Sequence, residues 1–194
     1  MLRIRTERLE LLAAPAEVTR DEAAGVPQWY APLDVDPPEA WPPPFNDRHS
    51  QASFARRIAR HHHDEEGWLL WYVVRRADAA MNPRMLIGNA GFTGAPDTRG
   101  SVEIGYSLVP SWHGRGYGTE LTAALVTWAF SHTHVARVLA ITYPSLVGSV
   151  RVLEKNGFQP TCRGKDTRSV VFELRRDVFE CRLAAATHTE THIR

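Results

Sequence analysis

The segment HGRGYG, residues 113–118, constrains the fold of this chain more than any other part of the sequence. Three of its six residues are glycine, and it stands between a strand-like stretch and an amphipathic, helix-like one. Glycine lets the backbone approach a ligand closely, and the start of a helix presents unpaired N–H groups that carry partial positive charge. This combination is typical of an anion site, most often one for a phosphate. We therefore expect a strand–loop–helix unit that binds a phosphate.

Two common phosphate-binding designs do not fit these residues. A P-loop needs lysine and then serine or threonine after its glycines, whereas this chain has Thr119 and Glu120 there. A dinucleotide fingerprint needs G-x-G-x-x-G and a carboxylate at the end of the next strand, whereas that strand ends at residues 141–144 in Ile-Thr-Tyr-Pro. The sequence therefore indicates neither a P-loop nucleotide hydrolase nor a nicotinamide enzyme.

The composition is that of an ordinary globular domain. The chain has 194 residues, of which 43% are hydrophobic and 23% charged, and its formal net charge is +1, which gives no reason to expect nucleic acid as the main partner. Its apolar runs are too short to span a bilayer, and its first residues lack the apolar segment of a signal peptide. Cys162 and Cys181 have no metal-ligand spacing. We expect a cytoplasmic protein with no metal and no membrane partner.

Hydrophobic periodicity predicts one α/β domain of the α+β type. The predicted strands cover residues 5–12, 68–74, 85–92, 101–108, 137–142 and 167–174, and the predicted helices cover residues 15–24, 50–62, 118–130 and 147–155. Several strands in a row are followed by strand–helix–strand–helix–strand, which predicts a mixed sheet flanked by helices. The small and polar residues 184–194 are expected to form a flexible tail.

A proline-rich stretch interrupts the first half of the chain. Residues 27–44 contain seven prolines together with Trp29, Tyr30 and Trp41, so they form neither a helix nor a central strand. Two interpretations remain open for this loop, which we place at residues 27–47. Its tryptophans close one end of the core, or the loop is one wall of a substrate pocket.

Residues 102–158 resemble the GCN5-related N-acetyltransferase (GNAT) family, and in particular its RimJ/RimL-like branch. The family signature, a strand followed by [QRH]-x-x-G-x-[GA] and a helix, is matched by residues 113–118. A second family pattern, T-x-P followed by S-x-R-V-L-E-K-x-G-F, is matched by residues 142–158, and the TERL at residues 6–9 and the WPPP at residues 41–44 are also similar to this branch. The resemblance implies a single GNAT domain over residues 1–183 whose mostly antiparallel sheet is splayed where acetyl-CoA binds.

The resemblance also implies where the substrates bind. In the family, the glycine loop and the first helical turn bind the pyrophosphate of acetyl-CoA, and backbone N–H groups of the preceding strand hold the thioester carbonyl. The corresponding residues here are Leu108, Val109, His113, Gly114, Arg115, Gly116, Tyr117, Gly118 and Thr119. Trp41, Asn46 and Glu103 are expected to contact the acceptor amine.

Acetyl transfer to an amine needs a base for the amine and stabilisation of the leaving thiolate. The resemblance suggests Glu103 as the base, with a solvated strand glutamate as the alternative. Many relatives have, at the position of Leu153, a tyrosine that acts as the general acid for the leaving thiolate. The RimJ/RimL-like branch suggests Ser149 as this acid instead. The alternative is that Ser149 only forms a hydrogen bond at the start of the helix. Tyr143 is a further candidate. The family's usual asparagine is Leu146, which cannot hydrogen-bond the pantetheine arm of the cofactor.

Residues 61–66, His-His-His-Asp-Glu-Glu, do not predict a metal site, because consecutive helical residues point about 100° apart. The resemblance therefore implies an acetyl-CoA-dependent N-acetyltransferase that uses no metal, with a small-molecule amine or a protein N-terminus as acceptor. A non-catalytic GNAT-fold module that binds acyl-CoA is the alternative. The oligomeric state stays open, with a homodimer among the alternatives.

Overall fold

A computed structural model describes the chain except for residues 39, 61–65, 79–81, 164–165, 167 and 191–194. Its strands are β1 (Arg3–Arg5), β2 (Leu9–Ala13), β3 (Leu70–Arg75), β4 (Met85–Phe92), β5 (Ser101–Leu108), β6 (Arg137–Thr142), β7 (Gln159–Arg163) and β8 (Val170–Arg175). Its helices are α1 (Ala16–Ala24), α2 (Arg48–Ile58), α3 (Tyr117–Phe130), α4 (Val147–Lys155) and α5 (Arg176–Glu190). None of the helices within these described ranges is long and apolar enough to cross a membrane.

The strands form one eight-stranded sheet in the order β1-β2-β3-β4-β5-β6-β8-β7. Neighbouring strands are antiparallel except for β5 and β6, which are parallel. A parallel pair needs a crossover connection, and α3 supplies it between β5 and β6. The predicted mixed and mostly antiparallel α/β sheet is therefore confirmed.

The parallel pair separates before β5 ends. The register of β5 with β6 stops at Ile104, which lies opposite Ala140, whereas β5 stays paired with β4 as far as Leu108. The last four residues of β5 therefore border a gap in the sheet, which we call the β5/β6 gap. The family resemblance implies a splayed sheet, and the β5/β6 gap is where this sheet opens.

Both faces of the sheet are covered, which explains the long apolar runs in its central strands. Leu11 and Val73 pack with Leu121 and Leu125 of α3 in one buried cluster. Their neighbours Leu12, Leu70 and Tyr72 point to the opposite face and pack with Val18 of α1 in a second cluster, where Trp29 and Trp41 also lie. The alternation of side chains along each strand thus separates an α3 face from an α1/α2 face.

The predicted boundaries are confirmed for β4, β5, β6 and α4. The predicted strand 5–12 is instead two strands, because the Thr6 hydroxyl accepts from the Leu9 N–H at 2.9 Å and holds a turn between them. Neither β7 nor α5 is predicted from the sequence. The flexible tail predicted from residue 184 begins within α5 and stays a prediction, and the histidines at 61–63 lie outside the described residues.

Candidate active site

The glycine loop turns the chain sharply from β5 into α3. A short 3-10 turn, Pro110–Trp112, follows the strand, and the His113 ring nitrogen Nε2 lies 2.8 Å from the Leu108 carbonyl oxygen. Gly114 and Gly116 then take φ values of 73° and 83°, in the left-handed region that side chains disfavour. The glycines are therefore required by the backbone path that places the start of α3 beside the β5/β6 gap.

The first turn of α3 has backbone N–H groups that are not hydrogen-bonded within the helix. The first bond of the helix joins the Glu120 N–H to the Gly116 carbonyl at 3.1 Å. The N–H groups of Tyr117, Gly118 and Thr119 precede it and have no acceptor within the helix geometry. These three amides and the positive end of the helix dipole are arranged as a candidate site for an anion such as a pyrophosphate, which we call the anion site.

Arg8, in the turn before β2, holds this loop from the side. Its guanidinium donates to the Arg115 carbonyl at 3.0 Å and to the Glu120 carboxylate, with Nε 2.7 Å from Oε2. The same group lies 4.6 Å from the centre of the Tyr117 ring. Burial raises the pKa of Glu120, but hydrogen bonds from Thr6 and Arg8 outweigh it and hold that pKa below its ordinary value. The sequence analysis did not single out Arg8, although it lies in the TERL segment that carries the resemblance.

Backbone direction decides which amide of β5 faces the gap. The Val109 N–H donates to the Ile87 carbonyl at 2.9 Å, and the Glu103 carbonyl accepts from Thr93, so these alternate residues turn toward β4. Because backbone groups alternate along a strand, Leu108 turns its N–H toward β6 and into the gap. Of the two residues expected to hold the thioester carbonyl, Leu108 is the one whose amide faces the site.

Ser149 lies in the first turn of α4, on the far side of the same gap. Its hydroxyl oxygen accepts from Thr142 Oγ1 at 3.0 Å and lies 3.2 Å from the Tyr106 hydroxyl. The Tyr143 hydroxyl instead donates to Asp166, 3.4 Å away, in the turn before β8. The structure therefore brings Ser149 to the gap and engages Tyr143 elsewhere.

Glu103 lies on the opposite face of β5 from Tyr106. Because side chains alternate along a strand, Glu103, Gly105 and Ser107 lie on the same face of β5, as the sequence predicts. The Ser107 hydroxyl donates to the Pro44 carbonyl at 2.5 Å, so the proline-rich loop is attached to the strand that carries Glu103. This loop therefore borders the side of the gap opposite to α4.

The proline-rich loop is attached at a second place by a buried carboxylate. Glu22 of α1 is only 6% exposed, and it accepts from Tyr72 Oη at 2.5 Å, from Trp41 Nε1 at 2.8 Å and from Asn46 Nδ2 at 3.5 Å. Burial raises the pKa of Glu22 even though these hydrogen bonds, and one from Gln51, lower it. The side-chain N–H groups of Trp41 and Asn46 thus bind Glu22 and fix the loop in place, and Asn46 is only 4% exposed. Both interpretations of the loop are therefore compatible with its position.

Among the described residues, no group of three or more histidine, cysteine, aspartate or glutamate side chains is arranged to hold a metal ion. Leu146 is the N-terminal flanking residue of α4 and is exposed, with no side-chain hydrogen bond to the helix. The side-chain amide that the family resemblance implies at this position is therefore absent from this chain.

Comparison with known proteins agrees with this geometry. Residues 10–159 match the family model described as an acetyltransferase (GNAT) domain. The uncharacterized N-acetyltransferases YjdG and YoaA of Bacillus subtilis are 30% identical over 115 residues and 29% identical over 97 residues, which is 59% and 50% of this chain. The chain spans 66% and 52% of the length of these two relatives.

Solved structures show the same fold at low sequence identity. Mycobacterium smegmatis RimJ, in complex with a CoA disulfide, has a TM-score of 0.61 at 17% identity, covering 96% of this chain and 93% of its own. RimL, a ribosomal L7/L12 alpha-N-protein acetyltransferase solved with coenzyme A, has a TM-score of 0.64 at 17% identity, covering 91% and 99%. Since the family model spans most of the sequence and includes the anion site, the chain belongs to the GNAT acetyltransferase family.

Proposed function

We propose that the protein transfers an acetyl group from acetyl-CoA to a primary amine by direct attack in a ternary complex. The observation that carries this proposal is the anion site at the start of α3, which opens beside the β5/β6 gap in a chain of the GNAT family. The pyrophosphate would lie on the amides of residues 117–119. The pantetheine arm would enter the gap, and the Leu108 N–H would hold the thioester carbonyl.

The chemistry divides between the two faces of β5. Glu103 takes the proton of the attacking amine on the face that the proline-rich loop borders, and Ser149 donates a hydrogen bond to the leaving sulfur on the α4 face. This arrangement supplies a base, an oxyanion donor and a donor for the leaving group without a covalent intermediate. Contacts of Trp41 and Asn46 with the acceptor stay a prediction.

Two acceptor classes fit the proposal. RimL is a ribosomal L7/L12 alpha-N-protein acetyltransferase, and its fold likeness favours a protein N-terminus, as does the RimJ/RimL-like pattern of the motifs. A small amine is the other class, and the formal net charge of +1 does not single out a ribosomal target. A cytoplasmic site of action is also part of the proposal.

The test is the release of CoA thiol from acetyl-CoA with a panel of small amines and short peptides. Wild type is compared with Gly116→Trp, which fills the anion site, and with Glu103→Gln, which removes the base. Amine-dependent release that Gly116→Trp abolishes and Glu103→Gln slows would support the proposal. CoA binding without release for any acceptor would favour the non-catalytic acyl-CoA-binding module. Failure of wild type to bind CoA would refute the assignment of the glycine loop.

A further inference from the structure

Three hydroxyl groups meet where β5 and β6 separate. The two strands are last paired at Ile104 and Ala140. Tyr106 and Thr142 each lie two residues beyond that pair, so they would face each other if the pairing continued. Instead both hydroxyls reach the same oxygen, Ser149 Oγ, at 3.2 Å and 3.0 Å. Ser149 therefore joins the two sides of the gap on the α3 face of the sheet.

The hydrogen bonds around Ser149 Oγ determine where its hydrogen can point. Thr142 Oγ1 donates to Ser149 Oγ. The Tyr106 hydroxyl donates to the Ser149 carbonyl oxygen at 3.3 Å and lies 3.2 Å from Ser149 Oγ, so its one hydrogen stands between the two oxygens of this residue. A hydroxyl oxygen accepts through two lone pairs and carries one hydrogen. Thr142 takes one lone pair of Ser149 Oγ. When Oγ shares the Tyr106 hydrogen through its second lone pair, the hydrogen of Ser149 is left for a third group.

Both donors keep their hydrogens at neutral pH. Burial raises the pKa of Tyr106 to about 12, and the hydrogen bond with Ser149 offsets this effect only in part. Thr142 is 5% exposed, and its hydroxyl does not ionise in the physiological range. Tyr106 and Thr142 therefore both keep a hydrogen that can stabilise negative charge developing near Ser149 Oγ.

We propose that Tyr106 and Thr142 are positioning residues that hold the Ser149 hydroxyl so that its hydrogen is donated to the sulfur of acetyl-CoA as the thiolate leaves. This inference rests on the proposed function. In the transfer step, the electron pair of the amine nitrogen forms a bond to the carbonyl carbon, and the amine proton passes to the Glu103 carboxylate. The C–S bond then breaks, and its electron pair leaves with the sulfur as a thiolate. The Ser149 hydrogen bond stabilises that thiolate, which takes its proton from solvent afterwards.

The test is a double-mutant cycle on acetyl transfer, with the best acceptor of the amine panel. Loss of one preorganised donor typically lowers kcat by 10²–10³, so Ser149→Ala is expected to lower kcat about 100-fold with little change in the KM for acetyl-CoA. Tyr106→Phe and Thr142→Val are each expected to lower kcat about tenfold, and Thr142→Ser to restore it. Because Tyr106 acts through Ser149, the double variant Tyr106→Phe/Ser149→Ala should equal Ser149→Ala alone.

Thr127→Val is the matched control, since it removes an exposed threonine hydroxyl of α3 that donates to the Ala123 carbonyl at 2.9 Å, far along the helix from the anion site. It should leave kcat unchanged. Full additivity in the double variant would overturn the inference, and so would a Tyr106→Phe defect that appears as lost CoA binding with kcat intact. An unchanged kcat in Ser149→Ala, with an active wild type, would refute the role of Ser149 and leave acetyl transfer standing. A wild type without transferase activity would refute the proposed function itself.

Discussion

Gly116 offers the sharpest test of the anion site, because the same substitution can be made at a matched position elsewhere. Gly116 has φ 83° and stands directly before α3, and Gly25 has φ 70° at the end of α1. A Cβ at Gly25 would meet nothing within 4 Å, and one at Gly116 would meet only the flexible end of Arg8, at 3.3 Å. Alanine at either position therefore introduces mainly backbone strain, which costs about 1–2 kcal/mol for an L-residue in the left-handed region.

The two sites differ in how that strain affects acetyl-CoA. At Gly25 it lowers the free energy of unfolding by about 1–2 kcal/mol. In a chain of this size that lowers Tm by roughly 2–8 °C. At Gly116 the loop can relax out of the left-handed conformation, but the anion site then has to be restored when CoA binds. A strain of about 1–2 kcal/mol repaid on binding raises Kd about five- to thirtyfold, since 1.4 kcal/mol corresponds to a factor of ten.

The assay is calorimetric titration of CoA together with thermal unfolding, on wild type, Gly25→Ala and Gly116→Ala. We expect Gly25→Ala to lose stability and keep its Kd, and Gly116→Ala to bind CoA at least about fivefold more weakly, the ratio that 1 kcal/mol gives. Wild-type affinity in Gly116→Ala would refute the assignment of this loop as the anion site. Equal weakening in both variants would show that global destabilisation, not the loop, controls affinity.

Two further predictions concern the rim of the site. Glu120→Gln should destabilise the protein at neutral pH, because the folded state lowers the pKa of Glu120. The contribution of the carboxylate to stability is present above the ordinary pKa of 4.5 and is lost as the pH falls. In urea unfolding, the difference in unfolding free energy between the variant and wild type should therefore shrink in acid. A difference in unfolding free energy that grows in acid would contradict this prediction. Leu146→Asn should lower the KM for acetyl-CoA about fivefold, because it restores one hydrogen bond of about 1 kcal/mol, and an unchanged KM would refute a polar contact at this position.

The sequence predicted best what depends on local pattern. The alternating stretch 101–108 and the helical stretch 147–155 have the boundaries of β5 and α4, because each carries a clear period and a turn signal at its ends. The strand β7 was missed because Pro160 lies inside it, and proline is disfavoured in strands except near edges. β7 is the last strand of the sheet, where that restriction is weakest.

The contacts that organise the site could not be predicted because they join distant parts of the chain. Arg8 reaches Glu120 and Tyr106 reaches Ser149 only after the sheet order is known, since neither pair is near in sequence or follows a helical or strand period. Glu103 and Ser107 could be placed on one face because alternation is local. The partner of Ser107 on that face, the Pro44 carbonyl, belongs to a loop without any period.

Glu22 is the case in which this limit matters most, because a buried glutamate on a short helix has no signal in the sequence. Its pKa is raised by burial, so the folded state favours the protonated carboxyl. The corresponding stability is fully present below the ordinary pKa of 4.5 and is lost as the pH rises through the folded value. Above its folded-state pKa the carboxylate is ionised and its desolvation opposes folding, while Trp41 and Tyr72 need it as an acceptor.

Glutamine at position 22 separates these two effects. Its carbonyl can accept from Trp41, and its amide can donate to the Tyr72 hydroxyl, which accepts as well as donates. In urea unfolding, we expect Glu22→Gln to gain stability relative to wild type as the pH rises from 4.5 to 7. Glu22→Ala leaves the Trp41 and Tyr72 donors without this acceptor, so it should lose about 1–3 kcal/mol of unfolding free energy for each donor left unpaired. A difference between glutamine and wild type that is the same at both pH values would show that Glu22 is not penalised by burial. A Glu22→Gln variant that loses stability relative to wild type as the pH rises from 4.5 to 7 would show instead that the carboxylate stabilises the folded state by its charge.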